Sequence, residues 1–318
     1  MRILAALCGL AISASAFAQS YPTKPIRMFV PFPAASIPDL VARQVSEKIA
    51  GPLGQPVLVE NRIGAGGRIA ATAGAKAAPD GYTLLLGSAT THVVAPHVVK
   101  NMPYDSVADF TPIGIAASSA TGVAVNAALP VKSMRELIDY AKKNPGKIAF
   151  ATNGIGSTHH IRGELIKAAA GIDMIHVPFS GSNELVTAIV AGTVQMTFIV
   201  PGAIRQFIQA GKVRLIAMTT PKRYPAVPDV PTVVEELPGY EPIQDWFAFF
   251  GPAGLARPIV VRLNTEIVKA LGMPDVRAAL ENQSLQVIAG SPEELADTIR
   301  RELPVYAKAV KAAGITPE

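Results

Sequence analysis

Short apolar runs alternate with amphipathic helical patterns along most of this chain. Gly192 and Gly211 stand where helices over 185–191 and 204–210 need a left-handed residue at their ends. The alternation predicts α/β units around mostly parallel sheets. The predicted strands are 26–30, 57–60, 83–87 (followed by a polar turn), 149–151, 174–177, 194–199 and 214–219, and the other predicted helices are 40–50, 69–78, 161–170 and 260–271.

Two of these units, half a chain apart, share one plan. In the first, an apolar strand enters the loop Pro31-Phe32-Pro33-Ala34-Ala35-Ser36 and leaves into a helix. In the second, a strand enters Thr152-Asn153-Gly154-Ile155-Gly156-Ser157-Thr158 and again leaves into a helix. A helix start gathers unpaired backbone N–H groups, which attract anions. The sequence therefore predicts a receptor that holds an anion between two facing helix starts.

The first loop contains a predicted helix cap. Ser36 is followed three residues later by Asp39, a pair that fits a capping box in which Asp39 reaches back to the N-cap amide. Pro38 falls in the first turn, where its missing N–H is harmless. Two interpretations stay open: the pair is only a local cap, or the Ser36 hydroxyl and its neighbouring amides also face ligand oxygens.

The second loop lacks the third glycine and the acidic residue of a dinucleotide site, so it suits close approach of the backbone to a compact anion. His159 and His160 follow it, but neighbours in sequence do not share a helix face, and a metal site is disfavoured. We expect one of them to cap or brace the loop.

Three other features extend or qualify this site. The turn from Phe179 to Glu184 joins a strand to a helix and offers a third group of donors. The stretch from Gly64 to Gly67 is either an anion loop or a turn that packs a helix closely on a sheet. Trp246, the only tryptophan, belongs either to the core or to the cleft wall.

The first residues predict an export signal. Arg2 precedes an apolar stretch, and Ala16-Phe17-Ala18 forms a cleavage site, so the mature chain is expected to begin at Gln19. Cys8, the only cysteine, lies in this signal, which leaves the mature chain without disulfides or thiolate chemistry. No later apolar stretch reaches the roughly 18 residues that span a bilayer. We expect a soluble periplasmic protein.

The rest of the chain suits two domains of about 150 residues each. No flexible linker is present, so strands near 113–125 and 246–250 are expected to cross between the domains as a hinge. After a signal peptide at 1–18, domain 1 is predicted to comprise 19–120 and 248–318, and domain 2 to comprise 121–247.

Charge and motifs narrow the function. The net charge is +5 without a basic run, which argues against nucleic acid and mildly favours small anionic ligands. Because the sequence has no nucleophile elbow, no zinc-protease motif and no carboxylate pair beside an apolar stretch, we expect neither an enzyme nor a cofactor.

A set of short motifs runs in order through the mature chain. They are Val30-Pro31-Phe32-Pro33 to Asp39, Val59-Glu60-Asn61-Arg62 with Gly64-Ala65-Gly66-Gly67, Pro79-Asp80-Gly81-Tyr82-Thr83-Leu84, Leu129-Pro130-Val131-Lys132-Ser133, Asn153-Gly154 to His160, His176-Val177-Pro178-Phe179, and Asp229-Val230-Pro231-Thr232 before Pro238-Gly239-Tyr240. Together they resemble the Bug-type solute-binding proteins of tripartite tricarboxylate transporters.

The resemblance implies a type II periplasmic-binding-protein fold, with two α/β domains that close on a ligand in the cleft between them. It also implies a monomer that binds a small carboxylate mainly through backbone amides and delivers it to the membrane permease subunits of the transporter. The implied ligand-binding residues are Phe32, Pro33, Ala35, Ser36, Asp39, Ser88, Thr91, His92, Asn153, Gly154, Gly156, Ser157, Thr158, His160, Phe179, Ser180, Gly181 and Ser182, with no metal site and no catalytic residue.

Departures from the family pattern bear on the ligand. Ala35-Ser36 stands where the family usually has two glycines, Ala95 where it often has asparagine, and Ile199 where it often has an acid. Each change makes the pocket wall less polar or more crowded, which favours a carboxylate with an apolar or aromatic body over a citrate-like ligand.

Three alternatives to a transport receptor with a backbone cradle remain open. One alternative is that the same receptor serves a sensor kinase instead of a permease, and another is that the fold carries an enzyme. An arginine clamp, with Arg162 as the candidate, is the opposing model for how the carboxylate is held.

Overall fold

The computed structural model describes residues 21–179, 181–312 and 314–317. The predicted export signal, its cleavage site and Ser180 lie outside the described residues. The first half of the chain contains β1 (Ile26–Val30), α1 (Ile37–Leu53), β2 (Val57–Asn61), α2 (Arg68–Ala75), β3 (Thr83–Ser88), α3 (Ala95–Val98), β4 (Phe110–Ser119), β5 (Gly122–Asn126) and α4 (Met134–Lys143).

The second half continues the alternation and ends in helices. Its elements are β6 (Ala149–Thr152), α5 (Thr158–Ala170), β7 (Ile175–Pro178), α6 (Ser182–Ala191), β8 (Met196–Ile199), α7 (Pro201–Gln209), β9 (Val213–Met218), α8 (Val233–Glu236), β10 (Asp245–Pro252), α9 (Arg257–Gly272), α10 (Pro274–Asn282), β11 (Leu285–Val287) and α11 (Pro292–Ala312). The predicted strands and helices are therefore present, within a few residues at their ends.

Two sheets divide these elements. The first has six strands in the order β11-β4-β10-β3-β1-β2, and the second has five in the order β7-β6-β8-β5-β9. In the first sheet β1 is parallel to β2 and β3, while β10 runs antiparallel to β3 and β4. In the second sheet β6 is parallel to β7 and β8, while β5 runs antiparallel to β8 and β9. The two-domain α/β fold is thus built on mixed sheets.

The expectation of mostly parallel sheets was wrong. Each sheet has a parallel βαβ part. Of the strands in antiparallel pairs, β4, β5, β9 and β10 lie next to the two places where the chain passes between the sheets, and β11 pairs with the outer side of β4. A chain that leaves one sheet and later returns runs outward and back, so its strands meet neighbours in opposite directions. The alternation of apolar runs shows the strands but not their direction.

The chain crosses between the sheets twice. The first crossing, residues 120–121, joins β4 to β5, and the second, residues 219–244, joins β9 to β10. Thr219 donates both its N–H and its hydroxyl to the Thr121 carbonyl, at 2.9 Å each, so the two crossings are tied together. The predicted domain boundary at 247/248 falls inside β10, which belongs wholly to the first sheet.

Apolar helix faces pack on both sheets. Val41, Val45 and Ile49 of α1 are fully buried on the first sheet, as their helical spacing predicts. Trp246 is 1% exposed and donates its indole N–H to Glu302 at 2.7 Å, which places it in the core. The predicted polar turn after β3 is instead a π-helical turn (Thr90–Val94) that continues into α3, because Val93 and Val94 are buried there.

Candidate functional site

Each sheet has a point where its chain order reverses, and the predicted loops lie there. From β1 the chain goes to β2 on one side and then to β3 on the other; from β6 it goes to β7 and then to β8 in the same manner. Ligands of α/β proteins bind beyond the carboxyl ends of the strands at such points. The loop after β1 and the loop after β6 occupy these two positions.

The second loop also touches the first domain. A Cβ atom placed on Gly156 would lie 3.2 Å from a methyl carbon of Val98 in α3. The loop after β6 therefore packs against an element that follows β3. This contact brings the second switch point against the first domain.

The first loop is held by a buried carboxylate. Asp39 is 1% exposed, and its oxygens accept hydrogen bonds from the Ala35 amide at 2.9 Å, Arg43 Nε at 2.9 Å and Asn61 Nδ2 at 2.7 Å. Asn61 also donates to the Phe32 carbonyl at 2.9 Å. Burial by itself would raise the pKa of Asp39, but these hydrogen bonds outweigh it and lower the pKa. Asp39 is therefore charged and shapes the loop from beneath.

The predicted capping box does not form. The Ser36 hydroxyl donates to the Pro33 carbonyl at 2.6 Å and caps no helical amide. Asp39 reaches back to the Ala35 amide, one residue before the N-cap. Ala35 has a left-handed φ of 61°, so the loop turns one residue earlier than a capping box requires. Pro33, Ala34 and Ala35 are exposed at the tip, and Phe32 is half-buried against Phe247.

The residues after β3 are packed among themselves. The Ser88 amide donates to the Thr91 hydroxyl at 2.9 Å, and that hydroxyl lies 2.9 Å from Nδ1 of His92. The His92 ring is fully buried and stacks on Phe250 with 3.9 Å between ring centroids. Burial lowers the pKa of His92 to about 3, so the ring is neutral. Ser88, Thr91 and His92 therefore lie in the packed interior of the first domain, and as ligand contacts they stay a prediction.

The second loop is held by a serine cap and two glycines. The Ser157 hydroxyl accepts from the His160 amide at 3.2 Å and donates to the Gly154 carbonyl at 2.8 Å. Gly154 and Gly156 have φ values of 107° and 71°, which side chains disfavour. The exposed residues of this loop are Asn153 and Ile155, and Ile155 is 64% exposed.

Two stacked imidazoles brace this loop from behind. His160 accepts the Gly156 N–H at Nδ1, 3.1 Å away, and its ring stacks on His176 with 3.7 Å between centroids. Nε2 of His176 lies 2.6 Å from the Thr152 hydroxyl. Burial, followed by the charges of His160 and Lys167, lowers the pKa of His176 to about 4. His160 thus braces the loop, and nothing in the sequence pattern paired it with His176.

The Arg162 side chain is engaged inside the protein, and its role as a ligand clamp is untested. Its side chain is 1% exposed, and its guanidinium lies 3.0 Å from Asp245 and donates to the Ile243 carbonyl at 2.9 Å. The amides of Ala35, Gly156 and His160 are also engaged inside the protein. Ligand oxygens would meet other groups of the two loops.

The remaining predicted residues differ in placement. Thr158 is buried at the start of α5, whereas Gly181 and Ser182 begin α6 and Ser182 is exposed. Phe179 is half-buried beside the carboxyl end of β7. The stretch at Gly67 packs closely, since a Cβ there would lie 2.8 Å from Thr91 and 3.0 Å from Pro31. Gly67 therefore lets α2 approach the sheet, which favours the packing interpretation over an anion loop.

Among the residues with described positions, no helix is long and apolar enough to span a bilayer. In the same part of the chain, no three His, Cys, Asp or Glu side chains gather as metal ligands. His160 makes the loop contacts described above, and the centroid of the His159 ring lies 6.0 Å from that of Phe198.

Comparisons with known proteins place these features in context. A sequence model of the tripartite tricarboxylate transporter family receptor matches residues 41–315. The protein BugT of Bordetella pertussis is 34% identical over 306 residues, which cover 95% of this chain and 93% of BugT. The structure of R. palustris Rpa4515 with adipate is similar at TM-score 0.85 and 33% identity, covering 94% of this chain and 100% of that one. The structure of MatC (Rpa3494) from Rhodopseudomonas palustris with bound malate gives TM-score 0.80 and 32% identity, covering 91% and 100%.

Proposed function

Because the chain belongs to the tripartite tricarboxylate transporter receptor family, we propose that it captures a small carboxylate in the periplasm. The captured ligand is delivered to the permease subunits of a tripartite tricarboxylate-type transporter. One observation carries the proposal: two loop-to-helix segments occupy the switch points of the two sheets, positions where backbone donors can bind an anion. The proposed chemistry is binding without turnover.

The carboxylate-bound relatives support the ligand class. Rpa4515 was solved with adipate and MatC with malate, and each is similar to this chain over more than nine-tenths of its length. Both ligands are small dicarboxylates. A carboxylate group is therefore the part of the ligand that the two loops are proposed to hold.

Apolar side chains near the loops support a ligand with an apolar body. Ile155 is 64% exposed at the tip of the second loop, and Phe32 and Phe179 are half-buried beside the two loops. Exposed isoleucine next to anion-binding backbone provides an apolar surface that a hydrocarbon chain or ring can cover. We therefore propose adipate-like or aromatic carboxylates ahead of citrate.

Isothermal titration with adipate, malate, benzoate and citrate tests this proposal. We expect saturable binding with one site for adipate or benzoate, weaker binding of malate, and no binding of citrate. Small-angle scattering of the same samples should show a smaller radius of gyration with a saturating ligand, because the cleft closes. Tightest binding of citrate, or conversion of any of these compounds, would contradict the proposal.

A further inference from the structure

A buried ion pair lies next to the second loop. Arg162 extends from the second turn of α5 and meets Asp245, the first residue of β10, at 3.0 Å. The Arg162 side chain is 1% exposed and that of Asp245 14% exposed. Arg162 also donates to the Ile243 carbonyl at 2.9 Å. The guanidinium thus joins a helix of the second domain to the returning crossing and to the first strand residue after it.

Asp245 lies near the start of the same helix. Thr158, the first residue of α5, is one of the groups that lower the pKa of Asp245, and it lies four residues before Arg162 on the same helix face. The residue before Thr158 is Ser157, which caps α5 and closes the second loop. Through its ion pair with Arg162, Asp245 is therefore linked to the helix whose amino end forms half of the proposed anion cradle.

The same carboxylate also reaches the other crossing. The Thr121 hydroxyl lies 3.4 Å from Asp245, and the Thr121 carbonyl accepts both bonds from Thr219. Both crossings and the start of α5 consequently meet within one buried cluster. A small polar cavity of about 30 Å³, lined by Arg162, Thr219 and Ser118 among others, adjoins it.

The cluster is charged in the folded protein. Burial by itself would raise the pKa of Asp245, but the charges of Arg162 and His159 and the Thr158 hydrogen bond outweigh burial and lower it. A buried pair of this kind is an unreliable source of stability, because the desolvation of both charges offsets their attraction. Fixed geometry is a better-attested result of such a pair.

We propose that Arg162 and Asp245 are positioning residues of the ligand site, pinning the second loop to both crossings so that it faces the first loop when the domains close. The inference goes beyond the proposed function and rests on it for the ligand. Neither side chain needs to touch the carboxylate, because both act through the orientation of α5.

Two other roles predict different results. If the pair only stabilised the fold, its loss would lower the melting temperature and leave the affinity of the folded protein unchanged. If it acted through its charges, Asp245→Asn would leave an uncompensated Arg162 near the cradle and tighten anion binding, while Arg162→Met would weaken it. Positioning predicts that both substitutions weaken binding.

The experiment compares Asp245→Asn, Arg162→Met and the double variant with the wild type by titration with adipate. We expect about a tenfold weaker Kd in each single variant, and no further loss in the double variant because the residues act as a unit. Arg162→Lys should recover part of the affinity. Glu266→Gln is the matched control: Glu266 is 4% exposed and ion-paired to Arg262 and Lys269, but lies on α9, away from the crossings.

Tighter binding by Asp245→Asn, or a lower melting temperature with an unchanged Kd, would overturn the proposal. Thr121→Val provides a milder variant if the others fail to fold, and we expect it to bind adipate about threefold more weakly than the wild type. Its control is Thr197→Val, which removes a buried hydroxyl of β8 and should leave the affinity unchanged. If the wild type binds no carboxylate, the proposed function fails, but hydrogen exchange of the free protein still tests whether Asp245 and Arg162 hold the start of α5 in place. Amides 158–162 should then exchange faster in Asp245→Asn than in Glu266→Gln, and equal rates would refute it.

Discussion

The two halves of the proposed cradle share a plan but are held by different chemistry. The first loop rests on a charged network, in which the buried Asp39 collects Arg43, Asn61 and the Ala35 amide. The groups within the second loop and directly behind it are neutral: the Ser157 cap, two left-handed glycines and the stacked rings of His160 and His176. One loop therefore depends on an ionised carboxylate, and the other on imidazoles that stay unprotonated.

This difference shows that a repeated strand–loop–helix pattern does not imply repeated bracing. The first helix start has a carboxylate beneath it, and its negative charge is matched by Arg43. The second has no acid in its own first turn, and Asp245 reaches it from β10 together with Arg162. Substitutions can therefore perturb the two helix starts separately.

The largest effect is expected for Asp39→Ala. The substitution leaves the Ala35 amide and Asn61 without their buried acceptor, and should lower the free energy of unfolding by about 2–4 kcal/mol. Urea denaturation measures this change. Asp297→Ala is the control, because its ion pair with Arg300 is exposed and should be worth about 0.5 kcal/mol or less. Equal losses in the two variants would mean that Asp39 does not support the loop.

A second large effect is expected for Gly154→Val. The φ of 107° at Gly154 is unfavourable for valine, and such strain costs about 1–3 kcal/mol. A shifted loop should weaken carboxylate binding at least about tenfold by titration. Gly239→Val is matched in backbone strain, with a φ of 91° and open space around its Cβ, and should leave affinity unchanged. Unimpaired binding by Gly154→Val would count against a backbone cradle at this loop.

Lowering the pH should distinguish the contributions of the two loops to stability. The folded-state pKa of His176 is lowered to about 4, so the stability it contributes is full above its ordinary value of 6.5 and declines as the pH falls from there toward 4. The pKa of Asp39 is lowered below 3.8, so its contribution is lost only at lower pH. We expect urea denaturation at pH 7.5 and pH 5 to show a smaller difference in His176→Gln than in the wild type. Asp39→Asn should keep the wild-type difference, and an unaltered difference in His176→Gln would refute the imidazole brace.

The smallest effects come from the two loop serines. Ser157→Ala removes a helix cap and should lower the free energy of unfolding by about 1 kcal/mol, whereas Ser36→Ala removes only the hydroxyl bond to Pro33 and should cost about 0.5 kcal/mol. Thermal unfolding of the two variants measures the difference. A larger loss for Ser36→Ala would show that the first loop is capped after all.

Much of the fold was predictable because it depends on local spacing. The strand at Ile26–Val30 was predicted with its exact ends, and Gly192 adopts the left-handed φ of 77° that its place after a helix predicts. The capping box at Ser36 was predicted wrongly, because an amide one residue earlier took the Asp39 carboxylate once Ala35 had turned left-handed. A local motif determines which hydrogen-bonding groups lie near one another, but a small change in backbone angle determines which of them form a bond.

The sequence by itself determined the two α/β units, the family resemblance and the position of the two loops, because hydrophobic periodicity and turn residues act over a few neighbours. Only the tertiary structure decided which side chains hold those loops. Asn61 beneath Phe32, His176 against His160, and Asp245 beside Arg162 are contacts between residues far apart in the chain. Such contacts depend on how strands are ordered and how the chain crosses between sheets. The residues that form these contacts show no repeating sequence pattern from which that arrangement could be predicted.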